Sequence, residues 1–256
     1  MDVITGILIP FIGTTLGATM VFFMKSKLSS NIEKLLAGFA SGVMIAASIW
    51  SLIIPSIESS NNMKFFSWVP ATIGFLIGII TLIIFDRWIS KLENSDNKYK
   101  IRDKNNLMLF ITVTLHNIPE GMAVGVALAG ALIGNVGISM AGAISLAIGI
   151  AIQNFPEGSI ISMPLKNSGM SKMKAFAYGT ISGIVEPIAS IITIFSTKFI
   201  VPILPYVLSF AAGAMIYVVI NELLPVEKND NIMKNLSTIG FTIGFLIMMI
   251  LDVTLG

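Results

Sequence analysis

His116-Asn117-Ile118-Pro119-Glu120-Gly121 and Gln153-Asn154-Phe155-Pro156-Glu157-Gly158 are one pattern written twice: a donor ligand, Asn, an apolar residue, Pro, Glu, Gly. On a helix, His116 and Glu120 are four apart and share a face, and so do Gln153 and Glu157. Asn117 and Asn154 sit one position round, about 100° away, toward a neighbouring site. A third acid, Glu186, interrupts a later apolar run. One imidazole with carboxylates and amide oxygens suits a borderline divalent ion such as zinc, manganese or ferrous iron. The chain has no cysteine, so a thiolate site of the kind that selects copper(I) is excluded.

The elements that position these residues must lie in hydrocarbon. Of 256 residues, 55% are apolar and only 12% charged, with a mean hydropathy of +0.88. A soluble domain carries roughly 25% charged residues. The bilayer is therefore the solvent, and a net charge of +2 is too small to imply nucleic acid. A spanning helix needs about 20 mostly apolar residues. Eight segments qualify: 3–24, 35–57, 66–88, 107–132, 137–164, 174–197, 201–224 and 236–255. The predicted fold is all-α and polytopic, one transmembrane transporter domain over 1–256, with a cytoplasmic loop at 90–106.

Depth brings the polar residues together. Rising from residue 107, the fourth segment carries Glu120 about 20 Å into the membrane. Descending toward residue 164, the fifth holds Glu157 about 10 Å and Gln153 about 16 Å from the same side. Glu186, in the sixth, lies about 18 Å in. A central acid costs roughly 2.5–3.5 kcal/mol to insert, and no Lys or Arg lies in these three segment centres to pair with them. They must bind protons or a cation. Pro119 and Pro156 donate no N–H, which frees the carbonyls of Leu115 and Ile152 and bends the helices there. Two other classes keep buried acids. A proton-coupled transporter of a small organic solute would need a larger cavity. An intramembrane metal-dependent hydrolase would need two His at i and i+4 beside a Glu, and this chain has one His.

Fourteen of the 16 Lys and Arg fall in the connections after segments 1, 3, 5 and 7 or in the segment ends that border them; only Lys64 and Lys198 lie on the other side. The positive-inside rule places the fourteen in the cytoplasm and both termini outside. An internal repeat is also visible. Thr72–Asp86 and Thr238–Asp252 are identical at eight of 15 positions. The same offset of 166 aligns Gly13-Thr14 and Gly17 with Gly179-Thr180 and Gly183, and Phe39–Ile45 resembles Phe210–Ile216. Segments 1–3 thus recur as 6–8 around segments 4 and 5, a 3+2+3 plan whose second copy enters the membrane inverted, as in many transporters. Glycines four apart recur throughout, from Gly13/Gly17 to Gly240/Gly244. Such pairs predict close helix packing and are compatible with a homodimer.

HNIPEG and QNFPEG, on the fourth and fifth of eight segments, resemble the signature of the ZIP family of divalent metal transporters, above all its bacterial GufA-like branch. Met44–Ser51, Glu186-Pro187 and Asn221-Glu222 fit that branch too, so the resemblance covers nearly the whole chain. It implies a secondary transporter of the cell (inner) membrane. Its cargo would be zinc before iron, manganese or cadmium, carried into the cytoplasm with no cofactor and no enzymatic step. It further implies a binuclear centre. One site would use His116, Glu120, Gln153 and Glu157; the second would use Asn117, Asn154 and Glu186, sharing Glu120 and Glu157. Some members have Asp where this chain has Asn154. The resemblance also implies an outer entrance lined by Met44, Ala47, Ser51 and Glu58, and an inner exit near Asp86 and Glu222.

Overall fold

The computed structural model describes residues 3–23, 29–95, 104–134, 138–196, 201–223 and 231–255. All regular structure among them is helical. In chain order the α-helices are α1 (Val3–Ala18), α2 (Met20–Phe23), α3 (Ser30–Ala47), α4 (Ile54–Glu58), α5 (Trp68–Ser95), α6 (Lys104–Leu132), α7 (Met140–Asn167), α8 (Lys172–Gly183), α9 (Val185–Phe195), α10 (Leu204–Val218) and α11 (Asn231–Leu255). A π-helical segment, Ser48–Ile53, joins α3 to α4, and a second, Val219–Leu223, follows α10.

Seven stretches of the described residues are long and apolar enough to cross a membrane: Val3–Phe23, Ser30–Glu58, Trp68–Trp88, Met140–Asn167, Lys172–Phe195, Leu204–Asn221 and Asn235–Leu255. They match seven of the eight expected segments. The eighth, 107–132, lies in α6, which runs unbroken for 29 residues. That helix is long enough to cross a membrane. α5 continues to Ser95 and α6 begins at Lys104, so both ends of the expected loop at 90–106 are helical; its middle, 96–103, lies outside the described residues. Pro119 and Pro156 both sit inside unbroken helices. The sixth span does break, at Ile184, between α8 and α9. Pro187 lies three residues on and cannot donate to the Gly183 carbonyl, so the helix is interrupted there.

Glycines set the helix crossings. A Cβ on Gly78 of α5 would collide with the Phe210 carbonyl of α10, and one on Gly244 of α11 with the Phe39 carbonyl of α3. Gly213 meets Phe75 O in the same way, and Gly42 meets Phe241 O. The partners in each pair of contacts are those that the two sequence repeats align. On the other side of the bundle, Gly13 and Gly17 of α1 abut the backbone of Ala151 and Phe155 in α7, and Gly121 and Gly125 of α6 abut Glu186 and Ser190 of α9. In lipid, close backbone contact of this kind supplies much of the association between helices. The interior is filled by α3, α6, α7 and α10, with Met44, Leu52, Leu128, Leu146, Ile150, Leu208 and Met215 fully buried. The outside is apolar as well: Ile4, Ile84, Ile192, Phe195 and Val253 are all exposed, as lipid-facing side chains are.

Candidate metal centre

The last residue of each six-residue motif is a glycine at a helix crossing. Gly121 lets the backbone at Glu186 of α9 rest on α6, and Gly158 lets the Thr14 carbonyl of α1 rest on α7. The two helices thus seated also meet each other, because Thr14 Oγ1 donates to Glu186 Oε1 at 2.9 Å. Asn117 Nδ2 donates to the same oxygen at 3.1 Å and to the Ser182 carbonyl at 3.2 Å. Gln153 Nε2 donates to Glu120 Oε1 at 2.6 Å, joining α7 to α6. Four helices therefore meet in one polar knot enclosed by apolar side chains.

Asn117, Glu120, Gln153, Asn154, Glu157 and Glu186 are all buried, none more than 8% exposed. Glu120, Glu157 and Glu186 stand near enough to feel one another's charge, and the Asn154 amide lies beside both Glu120 and Glu186. Five buried oxygens face no donor: Asn117 Oδ1, Glu120 Oε2, Gln153 Oε1, Asn154 Oδ1 and Glu186 Oε2. One donor, Asn154 Nδ2, is unpartnered in the same place, so five of the six orphaned atoms are acceptors. Buried polar atoms in folded proteins are nearly always partnered, and an excess of acceptors suits a positive guest. Hard oxygens from carboxylates and amides are what a divalent ion takes. Among the described residues no three His, Cys, Asp or Glu side chains stand close enough to hold one ion by themselves. His116 belongs to α6, one turn before Glu120, and its side chain lies outside the described residues.

The residues expected along a pathway are placed as follows. Met44 and Ala47 are buried, Ser51 is half-buried in the first π segment, and Glu58 is exposed at the end of α4. Ser51 Oγ donates to Asp252 Oδ1 at 2.7 Å. Asp86, half-buried, accepts from Tyr217 Oη and from Asn221 Nδ2, the latter at 3.1 Å. Glu222 lies in the second π segment, and its side chain is outside the described residues. Two participants were not foreseen. Asp252, buried at the end of α11, is the last residue of the repeated string and aligns with Asp86. Thr14 was visible only as half of a Gly-Thr pair shared by the repeats.

Comparison with known proteins fits this geometry. The profile of the ZIP zinc transporter family matches residues 97–252. The chain is 33% identical to zinc transporter ZIP11 of Xenopus tropicalis, over 95% of this chain and 94% of that one. It is 31% identical to zinc transporter ZIPB of Bordetella bronchiseptica, over 96% of this chain and 79% of the other. Identity to zinc transporter GufA of Myxococcus xanthus is 29%, over 95% and 94%. With buried acids and amides on consecutive helices and full-length kinship of this kind, the chain belongs to the ZIP family of zinc transporters.

Proposed function

We propose that this protein carries zinc across the inner membrane into the cytoplasm through a binuclear site formed by α6, α7 and α9, with ferrous iron, manganese and cadmium as secondary cargo. It is a transporter and not an enzyme, and the metal is its substrate rather than a cofactor. The observation that carries the reading is the group of five orphaned buried oxygens around Glu120 and Glu186. One ion takes His116, Glu120, Gln153 and Glu157. The other takes Asn117, Asn154 and Glu186 and shares Glu120 and Glu157. Met44, Ala47, Ser51 and Glu58 line the outer approach, and Asp86 and Glu222 line the inner one.

The architecture proposed is one transmembrane domain of eight spans, α6 being the fourth, with spans 1–3 and 6–8 as inverted copies around the fourth and fifth. Matched glycine contacts support it: Gly78 on Phe210 mirrors Gly244 on Phe39, and Gly42 on Phe241 mirrors Gly213 on Phe75. The two π segments likewise follow α3 and α10 at matching positions. Both termini face outward, as the distribution of Lys and Arg requires. A second copy of the chain and the bilayer are the remaining partners.

Purified protein in liposomes loaded with a zinc-sensitive dye tests the function. Wild type should report zinc entry, and Glu157→Ala should not. Equal rates with and without protein would end the proposal.

A further inference from the structure

α1 carries no ionisable side chain from Val3 to Ala18, and nothing in its sequence marks it as part of a metal site. Yet Thr14 is fully buried, and its hydroxyl reaches Glu186 Oε1 at 2.9 Å. The same hydroxyl lies 3.4 Å from the Pro10 carbonyl, the ordinary resting place for a threonine on a helix. A hydroxyl has one proton to give, and the shorter contact is the one to the carboxylate. Thr14 is also held firmly. Its carbonyl rests on Gly158, and its Cβ and methyl face Gly183, where a side chain on that glycine would crowd them.

Glu186 Oε1 receives two donors, from Thr14 and Asn117, while Oε2 receives none. The Asn117 amide spends both protons, on Ser182 O and on Glu186 Oε1, which leaves its own Oδ1 unpartnered. Two donors on one oxygen fix which oxygen of the carboxylate is committed to protein and which is left for an ion. The geometry points to Thr14 as the positioning residue of the second metal site: its hydroxyl pins Glu186 Oε1 so that Oε2 is presented, with Asn117 Oδ1, to the ion. This rests on the binuclear reading above. It adds a contribution from α1, a helix to which that reading assigns no role.

Three substitutions separate the hydroxyl from the packing. Thr14→Val keeps the branched shape and removes the hydroxyl. Thr14→Ser keeps the hydroxyl and removes the methyl that faces Gly183. Glu186→Gln tests the site itself. Zn²⁺ titration of each purified protein, counting equivalents and affinities, is the readout, with thermal stability in the metal-free state measured alongside. Thr14→Val should weaken the second equivalent by about tenfold or more, the scale of one charge-assisted hydrogen bond, and leave the first within about threefold. Thr14→Ser should bind both equivalents as wild type does. Should Thr14→Val fail to fold, Thr14→Ala, which is smaller than the space available, carries the same expectation.

Wild-type binding by a folded hydroxyl-free variant would overturn the assignment. So would equal damage from Val and Ser, which would make the role one of packing. If Glu186→Gln leaves the second equivalent intact, the second site itself is misassigned and Thr14 falls with it. Loss in Glu186→Gln with no loss in Thr14→Val overturns the role of Thr14 alone.

Discussion

Gln153 and Glu120 face each other across α7 and α6, with the amide nitrogen 2.6 Å from the carboxylate oxygen. Gln153 Oε1 and Glu120 Oε2 have no hydrogen-bond partner. One bond thus links the two helices and leaves one oxygen over on each side chain.

Removing members of the primary site should abolish transport without unfolding the protein. His116→Ala and Glu157→Ala are each expected to lower zinc uptake by more than tenfold. In the metal-free state Glu157→Ala should melt no lower than wild type, because it deletes a buried acid whose insertion costs roughly 2.5–3.5 kcal/mol. Uptake assays and melting curves on the same preparations check both statements. Near wild-type uptake by both variants would remove the site from this position.

The glycine contacts carry a second prediction. Gly78→Ala and Gly244→Ala each drive a methyl into a carbonyl, of Phe210 and Phe39 respectively. Overpacking of this kind costs typically ~1–3 kcal/mol, so both should melt well below wild type and by similar amounts. Gly6→Ala, whose methyl would meet only the side-chain ends of Leu128 and Ile144, should be milder. A silent Gly78→Ala beside a damaging Gly244→Ala would break the equivalence of the two halves.

Much of this was legible before any coordinates, and the exceptions have physical causes. Glu120, Gln153, Glu157 and Glu186 announce themselves because acids and amides are costly in hydrocarbon. The glycine crossings announce themselves because small residues four apart have few other uses there. Thr14 did not, since a threonine can satisfy its own helix carbonyl and costs little to bury; only the approach of α9 makes it a donor to Glu186. The π segments at Ser48–Ile53 and Val219–Leu223 were equally silent. An extra residue in a helical turn depends on packing and leaves no periodic trace. The break at Ile184 was half-visible in Pro187, but Pro119 and Pro156 show that proline alone does not end a helix here.

Orientation can be read with single cysteines, since the chain has none of its own. Lys64→Cys and Lys198→Cys should react with an impermeant thiol reagent added to intact cells, and Asp2→Cys should do the same. Ser95→Cys and Lys172→Cys should react only after the membrane is permeabilised. The positions of the 16 basic residues motivate this assignment. Labelling of Ser95→Cys from outside would invert the topology.

Asn154 gives the sharpest test of the two-metal reading. Its amide is fully buried, close to the carboxylates of Glu120 and Glu186 but without a well-formed hydrogen bond to either. A neutral oxygen here solvates an ion without adding charge. Asn154→Asp would place a full negative charge within a few ångströms of a bound divalent ion, which strengthens attraction in a poorly screened interior. It would also add a third acid to the two that Asn154 already adjoins, so the metal-free protein should lose stability or hold another proton. Because a coordinating carboxylate must be deprotonated, binding at the second site should become steeper in pH: tighter than wild type at pH 7.5, with the advantage shrinking toward pH 5.5. The first site keeps Gln153 and His116 and should hold its affinity. Turnover should fall, since a tighter intermediate releases its ion more slowly. Zinc titrations of wild type and Asn154→Asp across that pH range, counting equivalents, decide the matter. If stoichiometry, affinity and pH dependence all stay at wild-type values, Asn154 faces packing rather than metal, and this chain has one ion site instead of two.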